Sequence, residues 1–379
     1  MKFVHLADLH IGKSVNGYSM IDDQIFALDQ IIKLLEQENI KMLIIAGDIY
    51  QNTVPSVEAI KVFEKFLSRL NGLDITTLII SGNHDSSDRL SYANEFFRNS
   101  EIYISNSYNG EIEKVSFNDE FGKINFYLFP YIKPANVKRY FEDREIISYQ
   151  DAVKAVIESI ELDKSERNVM ISHQFILNAE ISESEEIYAG EAEAVSMNLY
   201  KDFDYVALGH IHKKQSFLNG KIRYPGALLK YASSESNYDK SITIVDIKEK
   251  NNIEITERKI EYLHEMRKIR GFFDDIIRSA SEDSNPNDYI HIELLDDIEI
   301  SEGLQRLREF YPNIMTMRYD KLKIENNNFE NFDFEENEKS PLELFNDFYY
   351  LIMGQEISSS KEEIIKEAID KIWRENENN

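Results

Sequence analysis

The chain has 379 residues, 43 Lys and Arg against 69 Asp and Glu for a formal net charge of −26, no cysteine, and 42% hydrophobic residues. That length and apolar fraction predict a core-forming protein of about two or three units and exclude wholesale disorder. The missing cysteines exclude disulfide frameworks, Cys-ligated zinc, iron–sulfur clusters and thiol nucleophiles, and the charge argues against strong nonspecific polyanion binding by the surface as a whole.

Up to about Tyr262, short β-branched runs alternate with longer amphipathic stretches, the pattern of α/β architecture. Strands are predicted at Lys2 to Leu6, Met42 to Ala46, Leu78 to Ser81, Asn125 to Pro130, Asn168 to Ser172 and Tyr205 to Leu208. Several are near-continuous apolar runs, as in strands covered on both faces. Helical spacing runs from Ile21 to Glu38, with Ile25, Leu28, Ile32 and Leu35 on one side, and from Val57 to Leu70. Ser241 to Ile247 and Ile253 to Ile260 alternate like antiparallel strands.

The pattern restarts over Met266 to Asp320. Tyr289 to Leu294 alternates, Glu302 to Phe310 is amphipathic, and Ile314 to Tyr319 follows Pro312, which together read as a small separate β-α-β unit. Asn326 to Lys339, rich in Asn, Glu and Phe without a clear period, reads as linker. Ser340-Pro341-Leu342-Glu343 and Ser360-Lys361-Glu362-Glu363 each fit a capping box. The helices they open present Phe345, Phe348, Tyr349 and Ile352, then Ile365, Ile369, Ile372 and Trp373. The predicted divisions are 1–265, 266–320, a linker at 321–340 and a helical segment at 341–379. No apolar run approaches a membrane span and the start lacks a signal-peptide pattern, so no membrane association is expected and a cytoplasmic location is.

Polar clusters follow strand after strand in the first 212 residues: Asp8-Leu9-His10, Gly47-Asp48, Gly82-Asn83-His84-Asp85, Ser172-His173 and Gly209-His210-Ile211-His212. Strand ends are where α/β folds place their sites. Taken singly, most have ordinary readings. Asp8 and His10, on one side of an extended segment, fit a turn or an N-cap as well as a metal; Gly47-Asp48 fits an Asx-turn; His173 alone fits a satisfied buried histidine. Asn83-His84-Asp85 exceeds the needs of a turn, and His210-x-His212 after Gly209 is the best single metal signal.

Combined, Asp8, His10, Asp48, Asn83, His173, His210 and His212 make seven N/O ligands, which suits two divalent ions sharing one carboxylate, about 3.5 to 4 Å apart. Such a pair clamps the attacking and leaving oxygens of a phosphoryl displacement and activates water, so no Ser or Cys nucleophile is needed. The mixed ligand set suits Mn, Fe or Zn better than Ca or Mg. His84 is then free to protonate a leaving oxygen or stabilise developing charge, with Asp85 as its orienting partner. Two ions also add +4 locally, so an acidic protein can still present a favourable field to a phosphate.

The ordered series Asp-x-His, Gly-Asp, Gly-Asn-His-Asp, His and Gly-His-x-His resembles the calcineurin-like metallophosphoesterases. Within them, the chain resembles the SbcD family of DNA-repair nuclease subunits over nearly its whole length. That closer resemblance rests on Gly82-Asn83-His84-Asp85-Ser86 with Arg89-Leu90, on Pro130-Tyr131-Ile132-Lys133-Pro134, and on Tyr224-Pro225-Gly226-Ala227-Leu228-Leu229-Lys230-Tyr231. Leu307-Arg308, Tyr311-Pro312-Asn313 and Ser340-Pro341 followed by Leu342-Glu343-Leu344-Phe345 add to it.

The resemblance implies a metallophosphoesterase β-sandwich flanked by helices, a DNA-capping α+β domain at 266–320 and an ATPase-binding helical pair at 341–379. It implies one Mn held by Asp8, His10, Asp48 and His212, a second held by Asp48, Asn83, His173 and His210, and His84 as the catalytic histidine. It also implies an SMC-like ATPase partner, SbcC, a homodimer within a heterotetramer, and exonuclease and hairpin-opening endonuclease activity on double-stranded DNA in the nucleoid. Gln51 departs from the second histidine that some members of the resembled family carry there. The alternative is a small-substrate phosphomonoesterase or cyclic-nucleotide phosphodiesterase, to which the unit at 266–320 and the helical tail would be superfluous.

Overall fold

The computed structural model describes residues 1–185 and 193–320, together with positions 340, 342–346, 349, 357, 362, 365, 366 and 369. It divides into two compact units, Met1–Arg267 and Lys268–Asn379. No helix among the described residues is long and apolar enough to cross a membrane.

The first unit is built on two six-stranded sheets. One runs in the order Ile253–Lys259, Ser241–Ile247, Lys2–Leu6, Met42–Ala46, Thr76–Ile80, Ile102–Ile104. The other runs Gln215–Phe217, Ile222–Tyr224, Tyr205–Gly209, Arg167–His173, Gly122–Phe129, Glu113–Asp119. From Lys2–Leu6 to Ile102–Ile104 neighbouring strands are parallel, as are those from Gly122–Phe129 through Arg167–His173 and Tyr205–Gly209 to Ile222–Tyr224.

Alternation within each strand explains why both faces are apolar. Phe3, Ile44, Leu78 and Ile80 meet Phe126, Leu128, Val169, Ile171 and Ala207 in one core between the sheets. The intervening residues of the second sheet, Tyr127, Phe129, Met170, Val206 and Leu208, pack with Val153 and Val156 of helix Tyr149–Glu158. Those of the first, Val4, Leu6, Leu43, Ile45 and Ile79, are equally buried. Helix Val57–Gly72 packs on strand Thr76–Ile80 and against helix Ile21–Gln37. Each fully buried Leu, Ile or Phe contributes about 1.5–3 kcal/mol of transfer free energy. The result is the expected sandwich flanked by helices.

At the end of the sandwich where these parallel strands begin, the buried Arg167 guanidinium ties the two sheets together. It donates to the carbonyls of Ile247 (3.0 Å), Lys248 (2.9 Å) and Gly122 (2.7 Å) and to both carboxylate oxygens of Asp119, which also accepts from the Met1 amino group. The strand-beginning end is thus fixed, while the opposite end carries the polar loops.

In the second unit, strands Met266–Gly271, Tyr289–Leu294 and Ile314–Tyr319 form a sheet. Helices Phe273–Ala280 and Gly303–Arg308 bury Ile276 and Leu307 against Ile290, Ile292 and Ile314. The expected β-α-β unit is therefore present, preceded by the strand Met266–Gly271, of basic sequence, and the helix Phe273–Ala280, neither of them among the predicted elements. Beyond it, the Ser340 amide donates to Glu343 Oε2 (2.7 Å) and the Glu343 amide to Ser340 Oγ (3.3 Å), which is the capping box the sequence predicts. Phe345 and Tyr349 stack at 6.4 Å between centroids. The linker at 321–339, the Ser360 and Glu363 cap, and Phe348, Ile352, Ile372 and Trp373 lie outside the described residues.

Candidate metal centre

Five parallel strands deliver their C-terminal ends to one place. Asp8 follows Lys2–Leu6, Asp48 follows Met42–Ala46, Asn83 and His84 follow Thr76–Ile80, His173 ends Arg167–His173, and His210 and His212 follow Tyr205–Gly209. The backbone is too crowded here for side chains at two glycines, one between the sheets and one within the first sheet. A Cβ on Gly209 would stand 2.0 Å from the Ala46 carbonyl oxygen, and one on Gly82 2.1 Å from Asp48 Oδ1.

The backbone is bent as well as crowded. Asp8 (φ 55°), His10 (φ 45°), Asp48 (φ 51°) and His210 (φ 105°) all occupy the left-handed region, a conformation that costs energy for residues with a Cβ and clusters at functional sites. The expectation of an extended Asp8-x-His10 segment is therefore corrected. Instead, the Asp8 and His10 amides donate to the Gly47 and Asp48 carbonyls at 3.1 and 3.0 Å, and the bends bring both side chains inward.

The side chains converge. His10 Nε2 lies 2.9 Å from His212 Nε2 and 3.7 Å from Asp48 Oδ2. His173 Nε2 lies 3.3 Å from Asp48 Oδ2 and 3.0 Å from Asn83 Oδ1, which is also 2.9 Å from His210 Nδ1. His173 Nδ1 is 2.7 Å from the Ala46 carbonyl, which can only accept, so Nδ1 carries a proton and Nε2 is the nitrogen that faces Asp48 and Asn83. Three sets of ligand atoms lie within 4.8 Å of one another: Asp8, His10 and His212; His10, Asp48 and His84; Asp8, Asp48 and His173.

So many ionisable groups in a dry pocket distort one another. Burial raises the Asp8 carboxyl well above its usual range, and the neighbouring Asp48 adds to this. Burial pushes Asp48 the same way, but His173 outweighs it and holds Asp48 well below. Burial would likewise lower His173, and Asp48 instead raises it to about 9. Burial keeps His10, His212 and His210 neutral, His210 at about 3. Neutral imidazoles and close carboxylates are the donor set that divalent cations stabilise.

One atom tests the fit directly. Asp8 Oδ2 is buried with no hydrogen-bond partner among the described residues, a costly state for a carboxylate oxygen unless a cation meets it. The residues present fit a pair of divalent ions.

His84 closes one side of the centre. Its amide donates to Asp48 Oδ1 (2.9 Å) and its Nδ1 lies 3.0 Å from the Gln51 carbonyl oxygen, so Nε2 is the nitrogen left for the cavity that His84 lines. Asp85, expected to orient His84, does not touch the imidazole. Its Oδ2 accepts from the Ile49 and Gly82 amides (3.1 and 2.9 Å) and its Oδ1 from Tyr50 (3.0 Å), so it joins the Asp48 and Asn83 loops from behind.

The cavity in front of the centre, about 300 Å³, is also lined by Tyr131, Lys133, Tyr149, Ser184, Glu185 and Glu193. The Tyr131 and Tyr149 hydroxyls are 3.1 Å apart. Sequence reasoning assigned none of these six a role, and no local spacing marks them. His5 bonds the Tyr205 hydroxyl (2.9 Å) within the core, His264 pairs with Asp23, and His291 with Thr316, all outside the centre. Tyr224 is buried at the end of a strand, where its hydroxyl donates to the Gln174 carbonyl (2.6 Å).

Comparison with known proteins shows the family. Residues 1–214 match the family model described as calcineurin-like phosphoesterase, and residues 262–351 match one described as Type 5 capsule protein repressor C-terminal domain. The chain is 33% identical to the SbcD subunit of the nuclease SbcCD of Staphylococcus epidermidis, over 98% of its own length and 99% of that protein's. Among solved structures, a dimetal phosphatase from Danio rerio is 10% identical, over 69% of this chain and 98% of that one, with a TM-score of 0.41. A Thermus thermophilus protein is 12% identical, over 68% and 98%, with a TM-score of 0.40. The chain belongs to the calcineurin-like phosphoesterases and, within them, to the SbcD family of nuclease subunits; it is a phosphoesterase of the hydrolase class.

Proposed function

We propose that this chain is the two-metal DNA nuclease of an ATP-dependent repair complex. It acts as a 3′–5′ exonuclease on double-stranded ends and as an endonuclease that opens hairpins. Asp8, His10, Asp48 and His212 would hold one Mn, and Asp48, Asn83, His173 and His210 the other. The observation that carries this reading is the buried Asp8 Oδ2, without a hydrogen-bond partner among the described residues, in a cluster with Asp48 and the imidazoles of His10, His84, His173 and His212. The ions supply Lewis-acid polarisation of the phosphate and an activated water when bound.

The chain's own groups do the rest. With its Nδ1–H held by the Gln51 carbonyl, His84 in its doubly protonated form donates the Nε2 proton to the leaving oxygen and is left as the neutral imidazole. Lys133 adds a positive charge to the wall of a cavity otherwise crowded with carboxylates.

Residues 266–320 serve as the DNA-capping domain and 341–379 as the docking segment for an SMC-like ATPase of the SbcC type, joined by a linker at 321–340. The chain works in the cytoplasm, nucleoid-associated, as a homodimer within a heterotetramer. Support for self-association is apolar surface on two neighbouring stretches. Ile60, Phe63, Leu67, Leu90, Tyr92 and Phe97 share a groove of about 380 Å³, and Val57, Tyr92 and Phe96 are 69%, 81% and 78% exposed.

The test is Mn-dependent digestion of end-labelled duplex and hairpin DNA by the chain with and without its ATPase. Cleavage of both substrates is expected, and activity confined to small phosphate esters would overturn the reading.

A further inference from the structure

His212 is held differently from the other histidines of the centre. Its Nδ1 lies 2.6 Å from Ser184 Oγ, and that hydroxyl in turn reaches Glu235 Oε1. Glu235 is fully buried and ion-paired through Oε2 with Lys240, itself 3% exposed. Lys240 Nζ returns to the His212 carbonyl at 2.9 Å, while the His212 amide donates to Glu185. Side chain, amide and carbonyl of one residue are therefore all engaged by a single buried network.

By contrast, His173 Nδ1 meets a backbone carbonyl, and His10 Nδ1 has no partner among the described residues. A buried Lys–Glu pair costs desolvation that a well-packed apolar pair would avoid, so its presence behind a metal-facing ring calls for a role beyond stability.

We propose that Ser184, backed by Glu235 and Lys240, is a positioning residue for His212: its hydroxyl oxygen accepts a hydrogen bond from Nδ1–H and its O–H donates one to the Glu235 carboxylate, so that Nε2 is presented to a divalent cation as a lone pair. This rests on the two-metal reading above. The direction of the relay follows from the donors available. Glu235 can only accept, so the Ser184 hydroxyl donates to it; the hydroxyl's lone pairs then face His212, and Nδ1 carries the proton. A carboxylate acting through a hydroxyl on a ligating imidazole fixes the tautomer and raises the basicity of the other nitrogen. It also links the metal site to the cavity wall, because Ser184 and Glu185 line that cavity.

The experiment is calorimetric titration of Mn into the metal-free full-length chain. Wild type is expected to show two sites. Ser184→Ala should weaken one of them by about 10- to 100-fold and leave the other unchanged, the range typical of removing a partner behind a metal ligand. Ser184→Thr, which keeps the hydroxyl, should restore the affinity. Unchanged affinity at both sites in Ser184→Ala overturns the proposal while leaving the two-metal reading standing, and so does equal weakening of both sites or a Thr variant as weak as Ala. A wild-type chain that binds no divalent metal overturns both.

Discussion

His84 Nδ1 lies 3.0 Å from the carbonyl oxygen of Gln51, so Gln51 serves His84 through its backbone. The Gln51 side chain is turned elsewhere and accepts from Lys13 Nζ at 3.2 Å. The two residues should therefore respond differently to mutation. His84→Ala is expected to keep both metals and to lower hydrolysis by about 10²- to 10⁴-fold, the span of a general acid or base. Gln51→Ala keeps the carbonyl and is expected to cost less than about tenfold. Single-turnover cleavage rates together with metal content decide this, and full activity in His84→Ala would remove its assigned role.

Asp85 gives a second prediction, because its carboxylate accepts three amides from two loops. Burial and the nearby Asp48 raise its carboxyl to about 6, against the pull of those amides. In Asp85→Asn, one side-chain oxygen becomes an NH₂ that faces a backbone donor. A stability loss of about 1–3 kcal/mol is expected in urea unfolding, because the NH₂ leaves a buried backbone donor without its acceptor. Were Asp85 acting on His84, the pH–rate profile would move instead while stability stayed put.

Those two residues also show what could be read in the chain beforehand. Asp8, Asp48, Asn83, His173 and His210 are legible because each immediately follows an apolar run that becomes a strand, and parallel strands put such ends together. Asp85 was misread because adjacency suggests that it serves His84, whereas its partners Ile49 and Tyr50 come from another strand end. Ser184, Glu185, Glu235 and Lys240 carry no signal at all. Their meaning lies in contacts across 27 to 51 residues of chain, made only once both sheets are assembled. The extended reading of Asp8-x-His10 failed because the crowding that bends it arises from Gly47 and Asp48, on a different strand end.

The helical tail yields a third prediction. The Ser340–Glu343 capping box is formed, Phe345 and Tyr349 share a face, and Asn346 reaches Glu362 at 3.2 Å. Removal of 341–379 is expected to abolish co-purification with the ATPase while Mn binding and the melting of the first unit stay unchanged. Retained co-purification would show that the docking surface lies elsewhere.

The Arg167 clamp at the opposite end of the sandwich makes a prediction about acid. Burial works against ionisation of Asp119, but the Arg167 guanidinium and the Met1 amino group prevail and hold its carboxyl at about 2, below its usual 3.8. A carboxyl depressed in the folded state contributes stability above its unfolded pKa and loses it as pH falls toward the folded one. Asp119→Asn should thus cost about 1 kcal/mol near neutral pH, a figure reduced for partial exposure of the carboxylate. The gap from wild type should be flat from pH 7 down to about 5, then narrow as pH drops through 4 toward 2. Urea unfolding across that range checks it: a gap that widened in acid would mean that the carboxylate does not stabilise this joint. Because the clamp lies at the far end from Asp48 and His84, metal affinity measured at pH 7 should be the same in both proteins.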